Sequence, residues 1–250
     1  MQHVDEETAL RAQLRKISAT WPRYGFRRAW ALLRAEGIVI SQTGPATVAR
    51  RRPASSAACA KRRRVGASTV PADRLTATHP NHVWALDFLF NTTSDGRPFK
   101  VLAMCDEFTR ESIGGRLGRS ITADDVVAVL DDALAQRGAP KFIRCDNGPE
   151  FTAAAIRDWC RLTRTGTAFI EPGSPWQTPW IESFNGKARD ELFAREVFDS
   201  IMEARLLYND WRDTYNRRRP HSSLNWLSPA QFAACWRPSI RPEPSCRVDQ

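Results

Sequence analysis

Residues 141–151 read KFIRCDNGPEF, and residues 181–192 read IESFNGKARDEL. In the first stretch a short apolar run breaks at Asp146 into Asn-Gly-Pro, the pattern of a strand running into a turn. In the second, Glu182 opens a long helical pattern behind the Pro- and Trp-rich loop EPGSPWQTPW at 171–180. Thirty-five residues separate the two carboxylates. A third acid, Asp87, sits inside VWALDFLF (83–90), where an unpaired charge is costly to bury. Asp146 alone could be a turn residue, and Glu182 alone a favourable charge in a first helical turn. Asp87 resists such an account, because strand interiors disfavour Asp. Brought together, two Asp and one Glu would make a hard, all-oxygen site suited to Mg²⁺ and phosphate chemistry.

Working outward, VWALDFLF and PFKVLAMCDEF (98–108), joined through Ser94-Asp95-Gly96, read as a hairpin, with ESIGGRL (111–117) a third strand. A helix is expected over 122–137, with Thr122 as N-cap and Asp125 as its capping-box partner. Asp124, Asp125, Asp131 and Asp132 are then a solvated helix face. The strand 141–145 follows, then an amphipathic helix over 150–164 carrying Ile156, Trp159, Cys160 and Thr163, a short strand at 167–171, and helices over about 180–197 and 199–216. Three strands, helix, strand, helix, strand, helix is the element order of a ribonuclease H-like α/β domain. On the last helical pattern Glu182, Asn185 and Arg189 fall on one side, Lys187 lies to the flank, and Gly186 would let a DNA backbone come close.

Upstream, residues 5–37 carry two helical patterns around Trp21-Pro22-Arg23-Tyr24-Gly25, the first with Leu10, Leu14 and Ile17 and the second with Trp30, Leu32 and Leu33. They fit a helix-turn-helix-like module or an ordinary helical hairpin with a basic face equally well. Residues 1–43 are thus a helical module, 44–78 a basic Ala/Ser/Pro/Arg linker without a core, 79–233 the catalytic core with its C-terminal helices, and 234–250 a tail.

The net charge is +9, but residues 1–64 hold 14 Lys and Arg against 4 Asp and Glu, so the basic excess is confined to the N-terminal quarter. That asymmetry is the footprint of a nucleic-acid-binding arm. Candidate DNA contacts there are Arg27, Arg28, Arg50, Arg51, Arg52, Lys61, Arg62, Arg63 and Arg64; further along they are Asn185, Lys187, Arg189, Arg217, Arg219 and His221. The six Cys form no Cys-x-x-Cys pair and the four His no zinc spacing, so Cys105, Cys145 and Cys160 are expected as reduced core thiols. No signal peptide or membrane-length apolar run is apparent, which fits a cytoplasmic, nucleoid-associated protein with no membrane partner.

LDF at Asp87, DNGPEF at 146–151, GSPWQ with ESFNGKARDEL across 173–192, and YNRRRPHSSLNWLSPAQFA at 215–233 together resemble the second reading-frame product of the insertion sequence three family of bacterial transposases, in the DDE superfamily with retroviral integrases. RYGFRRAWALLRAEG (23–37) is similar to the helix-turn-helix region before the catalytic domain of these proteins. The resemblance implies a retroviral integrase-type ribonuclease H-like core and dependence on two Mg²⁺ or Mn²⁺ ions. It implies Asp87, Asp146 and Glu182 as the catalytic, metal-holding acids, with cleavage that frees a 3′ end followed by strand transfer. Arg189 would contact the terminal nucleotides. Implied partners are element-end and target DNA, the first-frame product or its fusion, and further copies of the chain on DNA. Thr178-Pro179 departs from the family's common Asn-Gly and stiffens the loop before Glu182. A DNA-binding remnant without turnover, and a ribonuclease H-like nuclease that does not join ends, are the alternatives.

Overall fold

The computed structural model describes residues 2–38, 75–146, 148–152, 154–169 and 179–237. Among them are five strands: β1 (Val83–Thr92), β2 (Pro98–Asp106), β3 (Ser112–Gly118), β4 (Phe142–Cys145) and β5 (Gly166–Phe169). They form one sheet in the order β3-β2-β1-β4-β5. The first three make the antiparallel meander expected from the turn at Ser94-Asp95-Gly96, where Gly96 takes a φ of +77°. β4 and β5 add in parallel, each reached through a helical crossover.

β1 lies at the centre and is buried on both faces, so its side chains divide by parity. Trp84 and Leu86 join a core with Leu102 and Met104 beneath α3 (Ala123–Arg137) and α5 (Ala154–Thr163), the latter preceded by the single turn α4 (Pro149–Thr152). Ala85 and Leu89 join the opposite core, under α6 (Pro179–Ala188) and α7 (Ile201–Arg217). Gly115 permits the close approach of α7: a Cβ there would lie 3.0 Å from the Leu102 carbonyl oxygen and 3.1 Å from the Tyr208 ring. Phe184 of α6 packs between Trp211 and Tyr215 of α7, at centroid distances of 5.3 and 4.9 Å, which seats the Glu182 helix on the sheet.

Several expectations are met and several change. The capping box of Thr122 and Asp125 forms with both reciprocal bonds. Asp131 is exposed, as expected of a solvated face, and also accepts a 2.7 Å hydrogen bond from the Trp159 indole that ties α3 to α5. The helix expected to run to about 197 stops at Ala188 and passes into a π-helical turn, Arg189–Phe193. Pro179 begins α6, where its missing N–H costs nothing; Thr178 lies outside the described residues. Cys105, Cys145 and Cys160 are buried free thiols, and burial pushes Cys145 up to about 12.

The N-terminal helices α1 (Gln2–Thr20) and α2 (Phe26–Ala35) pack through Ile17, Ala29 and Leu33, with Leu10, Leu14 and Leu32 around them. They also meet the core. Trp30 sets its edge on Trp226, just before the last helix, α8 (Pro229–Cys235), and Arg28 and Tyr24 reach the π-turn and Arg219. Residues 75–78, read from sequence as the end of the linker, are fastened to the sheet: Arg144 donates to the Leu75 carbonyl, and Thr78 N–H to His82. The linker positions 44–74, with Arg50, Arg51, Arg52, Lys61, Arg62, Arg63 and Arg64, lie outside the described residues.

Candidate active site

Asp87 emerges from the centre of β1 on the face covered by α6. Because Ala85 is in register with Arg144, the residue two further along β1 stands beside the position where β4 ends, and that position is Asp146. Both oxygens of Asp87 are engaged: Oδ1 accepts from the Phe88 N–H at 2.8 Å, and Oδ2 from the Asn185 side-chain amide at 2.7 Å. A carboxylate oxygen can only accept, so this bond orients the Asn185 amide with nitrogen toward Asp87 and leaves its buried Oδ1 without a partner. Burial raises the Asp87 carboxyl above the ordinary Asp value, and the charge of Asp146 adds to the rise. The Phe88 N–H, Asn185 and the Arg189 guanidinium pull it back.

Asp146 is exposed at the strand end, and its Oδ1 accepts from the Gly148 N–H at 3.0 Å. The turn after it is pinned by two contacts that sequence reasoning missed. Phe151 stacks on Phe88 at 4.9 Å, and Glu150 pairs with Lys100 of β2 at 2.6 Å, the ammonium lying 5.3 Å from the Phe88 ring centre. The signal was present in DNGPEF, whose Glu and Phe follow the turn, but the partner Lys100 is fifty residues away.

Glu182 is exposed in the first turn of α6, one turn before Asn185. The structure therefore brings Asp87 and Asp146 together and places Asn185 on Asp87. Among the described residues, no group of three or more Asp, Glu, His or Cys forms a ready metal cluster.

The remaining candidates divide. Arg27 and Arg189 are exposed, and Arg189 is felt electrostatically at Asp87. Arg217 is exposed but paired within its helix to Asp213 at 2.6 Å. Lys187 bends back to donate to the Ser183 carbonyl and hydroxyl, and burial with the nearby Arg219 brings it down to about 8. Arg219 and His221, expected at a DNA surface, are buried instead, at 2% and 5% exposure. Arg219 grips Glu191 of the π-turn through Nε (3.0 and 2.9 Å) and Nη2 (2.5 Å), and Arg28 joins the same carboxylate at 3.7 Å. Arg219, committed to Glu191, holds the architecture together and is closed to phosphate in this arrangement.

Comparison with known proteins decides the family. The integrase core domain family matches residues 77–175, and a second family of the same description matches 163–229. An uncharacterized 31.7 kDa protein of insertion element IS407 from Burkholderia multivorans is 36% identical over 229 residues, covering 92% of this chain and 82% of its own length. The chain belongs to the integrase-core transposases of bacterial insertion elements. Within that family, an uncharacterized 39.2 kDa protein of IS476 from Xanthomonas euvesicatoria is 39% identical over 230 residues. The match covers 92% of this chain and 66% of that protein, so this transposase-family chain spans just under two thirds of it. The transposase for IS629 from Shigella sonnei is 26% identical over 232 residues, covering 87% and 76%. Among solved structures, the simian T-cell lymphotropic virus intasome aligns with a TM-score of 0.57 at 17% identity, covering 94% of this chain and 78% of that one. The HTLV-2 integrase catalytic core, solved in complex with magnesium, aligns at 0.52 and 16%, covering 63% and 99%. These two alignments establish the ribonuclease H-like integrase fold of the transposase core. No described helix is long and apolar enough to cross a membrane.

Proposed function

We propose that the chain cleaves the ends of its insertion element to free a 3′ hydroxyl and transfers that end to DNA, with Asp87, Asp146 and Glu182 as its catalytic acids. The observation that carries this reading is the pairing of Asp87 with Asp146 beneath the Asn185 amide, which belongs to the helix that bears Glu182.

The donor set fits divalent metal. Two carboxylates whose charges oppose one another gain from a cation between them, and oxygen donors suit Mg²⁺ or Mn²⁺. Asp87, Asp146 and Glu182 would hold the ions, in keeping with the magnesium in the HTLV-2 integrase core. Bound there, a pair of ions would neutralise the scissile phosphate and activate the attacking water or hydroxyl. The chain's own part is positional. Asn185 fixes one face of Asp87 and ties the helix that bears Glu182 to β1. Arg189, exposed beyond Asn185, would take a neighbouring phosphate. The natural partners are element-end and target DNA, other copies of the chain, and the first-frame product of the same element.

The test is Mg²⁺-dependent nicking of a duplex bearing the element's own ends, followed by joining. Wild type should nick, and Asp146→Asn should lose nicking while retaining DNA binding. The second reading is a DNA-binding remnant without turnover. Equal, metal-independent behaviour of wild type and Asp146→Asn would establish it.

A further inference from the structure

Against α6 lies a cleft of about 550 Å³, walled by the start of α2, by Trp180, Ser183 and Lys187 of α6, and by 219–223 with Trp226. Its volume falls within the range of small-molecule and cofactor sites, roughly 300–1,000 Å³. Three features set it apart from an ordinary groove between elements. Two large aromatic side chains stand exposed on its walls, Phe26 at 41% and Trp180 at 39%. Trp180 is stiffened from one side by the Arg110 guanidinium, whose Cζ lies 3.1 Å from the ring centre. Finally, His221, at 5% exposure, carries a buried Nε2 with no hydrogen-bond partner in its wall.

The charge of the cleft is positive. Arg27, Arg28, Lys187 and Arg219 contribute to its lining, and Glu191, spent on Arg219 and Arg28, answers only part of it. The crowding is visible in its effects: burial and then Arg219 depress Lys187, and burial followed by Arg219, Lys187, Arg28 and Arg110 depresses His221. An anion entering here would relieve repulsion among cations already gathered. Planar apolar faces beside cations, with one unsatisfied ring nitrogen, match the three parts of a nucleotide: base face, phosphate and base edge.

We infer that this cleft is a binding site for an unpaired nucleotide of a DNA strand, stacked on Phe26 and Trp180, its phosphate received by Arg27 and Lys187 and its base edge by His221. A base within an intact duplex cannot offer its face to side chains, so the site selects a strand that is frayed, flipped or already cut. Ser183, in the cleft wall, directly follows Glu182, so the strand held here would be one running past the proposed catalytic acids. The choice of DNA over other aromatic anions rests on the function proposed above.

The test uses the full chain without divalent metal and a short single-stranded oligothymidylate carrying one 2-aminopurine, with the same residue paired in a blunt duplex as comparison. Stacking on the side chains should quench the single-stranded probe further and leave the paired one, already dim from stacking on its neighbouring bases, unchanged. Phe26→Leu and Trp180→Leu keep apolar bulk but remove the planar face. Each should weaken single-strand binding about tenfold and restore fluorescence, within the range of aromatic stacking on a base. Lys187→Gln should weaken binding with quenching retained at saturation. Unchanged affinity and quenching in both Leu variants, with circular dichroism like wild type, would overturn the assignment, as would equal quenching of the paired probe. The Mg²⁺ nicking assay on the same preparations separates the two proposals. Nicking without stacking refutes the cleft alone; stacking without nicking refutes the proposed reaction and leaves the cleft as a nucleotide site.

Discussion

Replacing Glu191 with Gln tests whether the buried pair with Arg219 is as structural as its geometry states. Gln keeps the shape of the side chain but removes the charge that answers a guanidinium only 2% exposed, held by three contacts of 2.5 to 3.0 Å. Breaking a buried pair from one side costs about 3–5 kcal/mol, since the remaining ion has no water to turn to. At roughly 2–4 °C per kcal/mol for a chain of this size, the melting temperature should fall by about 6–20 °C. Urea and thermal unfolding followed by circular dichroism would measure it. Replacing both partners, Glu191→Leu with Arg219→Met, should recover most of the loss, because the uncompensated charge is then gone. Arg28 shares Glu191, and Tyr24 faces Arg219. Limited proteolysis should therefore cut Glu191→Gln faster within 2–38. A Glu191→Gln chain within about 1 kcal/mol of wild type would refute the argument, for it would mean that water reaches the pair.

Three further outcomes are expected. Asp87→Asn should abolish end cleavage yet raise the urea midpoint at neutral pH, because it removes a carboxylate that burial and Asp146 disfavour, and its amide can satisfy the orphaned Asn185 oxygen. Since the native group holds its proton to higher pH than the unfolded one, that gain should vanish on acidification; a lowered midpoint at neutral pH would contradict it. Gly186→Ala meets nothing within 4 Å and should stabilise α6 by about 0.5–1 kcal/mol, while slowing end processing if DNA lies against this face; wild-type processing would place the DNA elsewhere. His221, lowered from 6.5 to about 2 by burial and its cationic neighbours, stays neutral in the fold while the unfolded chain protonates. It should cost about 2 kcal/mol of stability between pH 7 and pH 5, at about 1.4 kcal/mol per unit below 6.5, and His221→Asn should flatten that slope.

The strands and the two Asp were legible because their signals are local. A continuous apolar run around Asp87 marks a strand covered on both faces, and Asp-Asn-Gly-Pro marks its neighbour's end. The Thr122 capping box was legible for the same reason. The end of α6 was not: KARDELF reads as continuous helix, and the break at Ala188 depends on Leu192 and Phe193 packing against a distant core and on Glu191 meeting Arg219. Arg219 and His221 misled because cations near a sequence's end are ordinarily exposed, and nothing local announces a buried acid 28 residues earlier. The Trp159 partner of the exposed Asp131 was equally hidden, lying a crossover later. Nor did the basic pattern of 23–34 disclose that Trp30 would turn inward onto Trp226.

The strand order also sets a schedule for synthesis. The β1–β3 meander closes from neighbouring residues and can form as soon as it leaves the ribosome, with Asp87 already in place. β4 can join only after α3 has been made, and α6 must wait for the aromatic side chains of α7 that seat it. A nascent chain thus carries Asp87 on its sheet well before α7 is available to seat the helix that bears Asn185 and Glu182.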